Sequence, residues 1–171
     1  MTTTIEEKGL LRDVLARETT ILRELLGNMH EEQEAILRGD TEMLKAVMAG
    51  REPLMVTLFE CRTKRLRAIQ SLPFARALDG NLSEDVVDSL AEDGCPTSCE
   101  ILSLRDQILA IIEKVKMQNE RNRYLLQNKV YLTREMIRRI YPGEENATYS
   151  AKGTLGKTKV KTAVTVINRE V

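Results

Sequence analysis

The chain has 171 residues, a length that suits one domain, and its 26 Lys+Arg balance 26 Asp+Glu. That balance leaves no global field to draw in nucleic acid or an anionic membrane. Aromatics are only 4% and Trp is absent, the usage of long helices rather than of a sandwich or barrel. No apolar run nears the roughly 18 residues that span a bilayer, so no membrane insertion is expected. The first residues, Met-Thr-Thr-Thr-Ile-Glu-Glu, lack the basic start and apolar stretch of a secretory signal, which points to the cytoplasm.

The first element runs over about 4–38. Leu11, Leu15, Leu22, Leu25, Met29 and Ile36 fall on a ladder of alternating four- and three-residue steps whose other rungs are Glu18 and Glu32. Val14, Ile21 and Leu26 widen the stripe, so an amphipathic helix follows. It should end at Gly39, a favourable residue just past a helix, and Asp40 can cap the next one.

The second helix, about 41–72, is expected to turn Leu44, Met48, Met55, Leu58, Leu66 and Ile69 inward. An interior proline removes a hydrogen bond and clashes with the preceding turn. Pro53, with Gly50 close by, therefore predicts a kink or restart near 51–53, or else a short helix ending at 49.

Residues 73–96 form a looser, acidic connection broken by Pro73, Gly80 and Gly94-Cys95-Pro96, with a short capped helix over 83–90. Residues 61–76 carry five basic side chains and no acid, while 79–100 carry seven acids and no base. The two halves attract one another across a solvated connection, or the acidic half is a docking strip for a basic partner.

Residues 97–140 contain neither Gly nor Pro and read as one helix about 65 Å long. Its apolar face needs other helices or a partner to cover it. Thr97 and Glu100 form a capping box. Ile101, Leu104, Ile108, Ile111, Ile112 and Val115 follow at core spacing. The stripe then turns polar at Gln118, Asn119 and Asn122, and apolar again at Leu125, Leu126, Leu132, Met136, Ile137 and Ile140. A buried amide without partners costs about 1–3 kcal/mol. Such amides form a register-setting layer within a bundle, or they are satisfied by solvent or a bound chain.

Residues 142–171 hold four Gly/Pro breakers and five basic residues with few large apolar groups, the composition of a flexible tail. The expected fold is therefore all-α: an elongated antiparallel helical bundle or hairpin of three main helices over 1–141, followed by a flexible C-terminal tail.

Three cysteines, Cys61, Cys95 and Cys99, and the single His30 do not supply a four-ligand zinc set, and the Cys95–Cys99 spacing is not that of a redox motif. There is no Gly-rich phosphate loop and no nucleophile with a base at motif spacing. No metal, no cofactor and no enzyme activity are expected.

Three phrases carry a resemblance. The first is Ile36-Leu-Arg-Gly-Asp40 followed by Arg51-Glu-Pro-Leu54. The second is Gln118-Asn-Glu-Arg-Asn-Arg-Tyr-Leu-Leu126, and the third is Thr148-Tyr-Ser-Ala-Lys-Gly153. Together they resemble the FlgN-type flagellar export chaperones, with Pro53 a departure from that family's uninterrupted second helix. The resemblance implies a cytoplasmic chaperone of type III export. It would bind C-terminal segments of hook-associated proteins, the hook–filament junction subunits, hold off their early assembly and deliver them to the export gate. On this reading Asn119, Asn122, Leu125, Leu126, Leu132, Met136 and Ile140 bind the client, and Tyr149 docks to the gate's cytoplasmic domain. No nucleic-acid partner is implied. The alternative is a coiled-coil scaffold or adaptor, or a related helical chaperone for another flagellar or type III secretion client.

Overall fold

The computed structural model describes residues 2–72 and 84–141. Over these the protein is all-α, with α1 (Thr2–Arg38), α2 (Thr41–Ser71), α3 (Glu84–Asp93) and α4 (Pro96–Ile140). By its internal contacts the chain divides into two units, Met1–Leu126 and Gln127–Val171, with the division inside α4. The expectations for the tail, for Tyr149 and for the breakers at Pro73 and Gly80 fall outside the described residues.

The turn from α1 to α2 follows from two residues. Gly39 adopts a left-handed φ of 72°, which costs a glycine little because it has no Cβ. Its N–H donates to the Ile36 carbonyl at 3.2 Å, and the Asp40 N–H donates to the Ala35 carbonyl at 3.0 Å. This is the Schellman closure, which satisfies carbonyls that a helix end leaves orphaned. Asp40 then caps α2, accepting from the Met43 N–H at 2.9 Å, and Glu42 sits at the positive end of the α2 dipole.

In the first unit α1 and α2 make the closest backbone approach. Their contacts run in opposite senses, Glu18 with Arg65 and Glu32 with Arg51, so the pair is antiparallel. Contacts between α1 and α4 climb together instead. Arg12 meets Glu100, Arg23 meets Gln107 and the Met29 carbonyl meets Asn122, so these two helices are parallel. The core joins Leu11, Leu15 and Leu22 of α1 to Ala68 and Ile69 of α2, Val86 and Leu90 of α3, and Ile101, Ile108 and Ile111 of α4. Each large side chain so buried contributes about 1.5–3 kcal/mol.

Two expectations for α2 need correction. The helix runs through Pro53 without interruption. Pro53 and Ala49 are both exposed, so the Ala49 carbonyl that loses its partner can be solvated. Met48 and Met55 do not point inward; each is 50% exposed. The inward ladder is Val47, Arg51, Leu54, Leu58, Cys61, Arg65, Ala68 and Leu72, with two arginines as rungs. They face the two glutamate rungs of α1, which is why the apolar pattern alone misplaces this helix.

The start of α4 also differs. It begins at Pro96, not at the Thr97 capping box. Cys95 is the cap: its carbonyl accepts the Cys99 N–H at 3.1 Å, and its Sγ accepts the Ser98 N–H at 3.4 Å. Pro96 takes the first helical position, where a missing N–H costs nothing. Gly94, at a φ of 59°, makes the reversal from α3 possible.

Candidate functional site

Gln118 and Asn122 are buried rungs of α4, and their amides are satisfied inside the chain. The Asn122 amide donates to the Met29 carbonyl and to Glu32 Oε2, both at 2.7 Å. Its oxygen accepts from Gln118 Nε2 at 2.8 Å, and that nitrogen also donates to Gln33 Oε1 at 2.7 Å. The same Glu32 oxygen takes Arg51 Nη2 at 2.7 Å. Arg51 Nε reaches Asn28 Oδ1 at 3.0 Å, and Asn28 Nδ2 donates to the Val47 carbonyl at 2.9 Å. One network thus ties α1, α2 and α4 at a single level. Satisfied polar layers of this kind fix register, because a slip would strand each member without a partner. Asn119 points out of this layer and is exposed.

A second charged level lies two heptads away along α1. Arg65 Nη1 donates to both carboxylate oxygens of Glu18 at 2.7 Å. Burial pushes the Glu18 carboxyl above its ordinary pKa; Arg65, helped by Arg62, opposes that shift without cancelling it. Arg65 Nε is buried without a partner among the described residues, so this level is less completely satisfied than the first.

A third polar cluster closes the end where α3 meets α4. Lys8 pairs with Asp93 at 2.9 Å, and the Ser98 hydroxyl donates to the same carboxylate at 2.9 Å. The Cys95 thiol, Lys8 and Ser98 together hold the Asp93 carboxyl well below the usual carboxylate range.

Beyond Asn122 the burial of α4 fades. Leu125 is half-buried and Leu126 exposed. In the second unit, taken by itself, Leu132, Met136 and Ile140 are 55%, 63% and 68% exposed. Their four-residue spacing puts them on one helix face. Val130, Tyr131, Ile137 and Tyr141 are exposed as well; the first, third and fourth of these make a second apolar row. The sequence reading left Val130, Tyr131 and Tyr141 out of the site, although the same helical spacing marks Val130 and Tyr141. A contiguous exposed apolar stretch on a helix marks an interaction surface, and helix-on-helix docking is its usual use. Of the expected client-binding residues, Leu126, Leu132, Met136, Ile140 and Asn119 are thus accessible, Leu125 partly so, and Asn122 is committed to the polar layer.

Among the described residues no cluster of His, Cys, Asp or Glu could hold a metal ion, and no helix is long and apolar enough to cross a membrane.

Buried polar layers tie the helices together, and the last helix carries bare apolar rows beyond them, which defines an all-α protein with an uncovered helix face. The chain belongs to the FlgN family, whose model, described as FlgN protein, matches residues 9–157. Membership carries the general role of that family, a flagellar export chaperone. Among curated proteins and among solved structures nothing matches the chain.

Proposed function

We propose that this chain acts in the cytoplasm as the export chaperone of hook-associated proteins. It binds their C-terminal segments, prevents their early assembly and presents them to the type III export gate, working by binding and not by catalysis. Client contact lies on the outer part of α4, through Leu125, Leu126, Leu132, Met136 and Ile140 with Asn119 beside them; Asn122 holds the helix that presents them. The observation that carries this reading is the bare apolar face at Leu132, Met136 and Ile140 in a chain of this family. Filament subunits pack through amphipathic helices, and such a face can take the place of their neighbours until export.

Calorimetric titration with C-terminal segments of hook-associated proteins tests it. Leu132→Ala with Met136→Ala should weaken binding by about 2 kcal/mol or more while melting temperature stays within a few degrees. Unchanged affinity, or unfolding of the double variant, would place the site elsewhere.

Tyr149 belongs to the same proposal as the gate contact, since an aromatic ring with a polar tip can bury area and still hydrogen-bond. Tyr149→Ala should reduce capture by the gate's cytoplasmic domain and leave client affinity intact. Equal gate binding by both proteins, client loaded, would remove it from the mechanism.

A further inference from the structure

A groove of about 280 Å³ lies between α1 and α4 within the first unit, lined by Leu26, His30, Lys114, Met117, Gln118 and Arg121. Leu26 and Met117 make it apolar, and Met117 stands well exposed. Lys114, Arg121 and His30 add basic groups, and no carboxylate lines it. Lys114 and Arg121 are seven residues apart on one face of α4. Neither takes part in an ion pair among the described residues, whereas Lys116 on the neighbouring face is paired with Glu113. The Gln118 amide is already spent on Gln33 and Asn122, so the groove is braced from behind by the polar layer. It is thus a stiff, apolar slot flanked by unpaired cations in a chain whose net charge is zero.

We propose that this groove is a second client contact, and that it selects an acidic amphipathic helix. The client's apolar side chain enters between Leu26 and Met117, and a carboxylate on its adjacent turn meets Lys114 and Arg121. Charge complementarity decides the occupant: a neutral helix leaves both cations facing an apolar partner, and a basic one is repelled. This inference rests on the export-chaperone reading and adds to it the chemistry of the client segment.

The test is titration of the full chain with C-terminal segments of hook-associated proteins at two salt concentrations. Lys114→Gln with Arg121→Gln changes exposed side chains only, and the melting temperature verifies that the fold is kept. The double variant should bind about five- to tenfold more weakly, on the scale of two solvent-accessible ion pairs, and should lose most of the wild-type salt dependence. Met117→Glu, which adds an acid to the slot, should weaken binding further in the same assay. Wild-type affinity and wild-type salt dependence in the double variant would overturn the groove while leaving the client reading standing. Failure of the wild-type chain to bind any of the segments would overturn both. A groove variant that instead abolishes self-association, with client binding intact, would assign the slot to a second copy and overturn the proposal.

Discussion

Glu18 and Arg65 show how a single buried pair shapes stability. The contact of Arg65 Nη1 with both carboxylate oxygens offsets only part of the cost of bringing two charges out of water. Removing one partner is therefore expected to cost more than removing both. Arg65→Met should destabilise at pH 7 by about 3–5 kcal/mol, while Glu18→Leu with Arg65→Met should be near neutral or more stable than the parent. The pH dependence follows from the raised pKa of Glu18. A carboxyl whose folded pKa lies above its unfolded value adds stability below the unfolded pKa, and that share is lost as pH rises through the folded value. Without Arg65 the rise is larger, so the single variant should approach the parent's stability near pH 4 and fall away toward neutrality. Urea unfolding at both pH values measures this; an equal deficit at pH 4 and pH 7 would contradict it.

At the level of elements, the ladders of α1 and α2 are mirror images in charge. Glu18 and Glu32 are spaced as Arg51 and Arg65 are, so one register satisfies both pairs and a one-heptad slip would set each glutamate against apolar rungs. The helix boundaries at Arg38, Gly39 and Asp40 were legible in the sequence because glycine and a capping acid act locally. The first and last helices were legible from their apolar periodicity, and the short α3 (Glu84–Asp93) from its cap. The inward face of α2 was not, because arginine reads as a surface residue until its partner on another helix is known. The buried state of Asn122 was open for a similar reason: an amide on an apolar stripe pairs or binds according to what lies across from it, here Met29 and Glu32. The Cys95 cap was missed because sulfur is a rare acceptor at that position and Thr97 and Glu100 satisfied the common pattern. Pro53 offers a test of α2 itself. Pro53 is exposed, and its ring takes away one hydrogen bond of the helix. Pro53→Ala should stabilise by up to about 3 kcal/mol, seen as a higher melting temperature. An unchanged or lower value would mean that the proline holds a bend the core requires.

For the molecule as a whole, the family match over residues 9–157 takes in every expected contact residue, Tyr149 included. Sequence periodicity located the apolar stretch of α4, but only the structure separates its buried rungs, Ile101, Ile108 and Ile111, from its exposed ones. The first unit spends its polar side chains on register, and the second exposes apolar ones at the end of α4. On the proposed function, that exposed part of α4 is what the chain keeps for its client. Amide hydrogen exchange of the full chain, with and without a hook-associated C-terminal segment, tests that division most directly. On this account bound client slows exchange over 127–140 and leaves 101–111, already protected in the core, unchanged. Client binding with no added protection anywhere in 127–140 would contradict it.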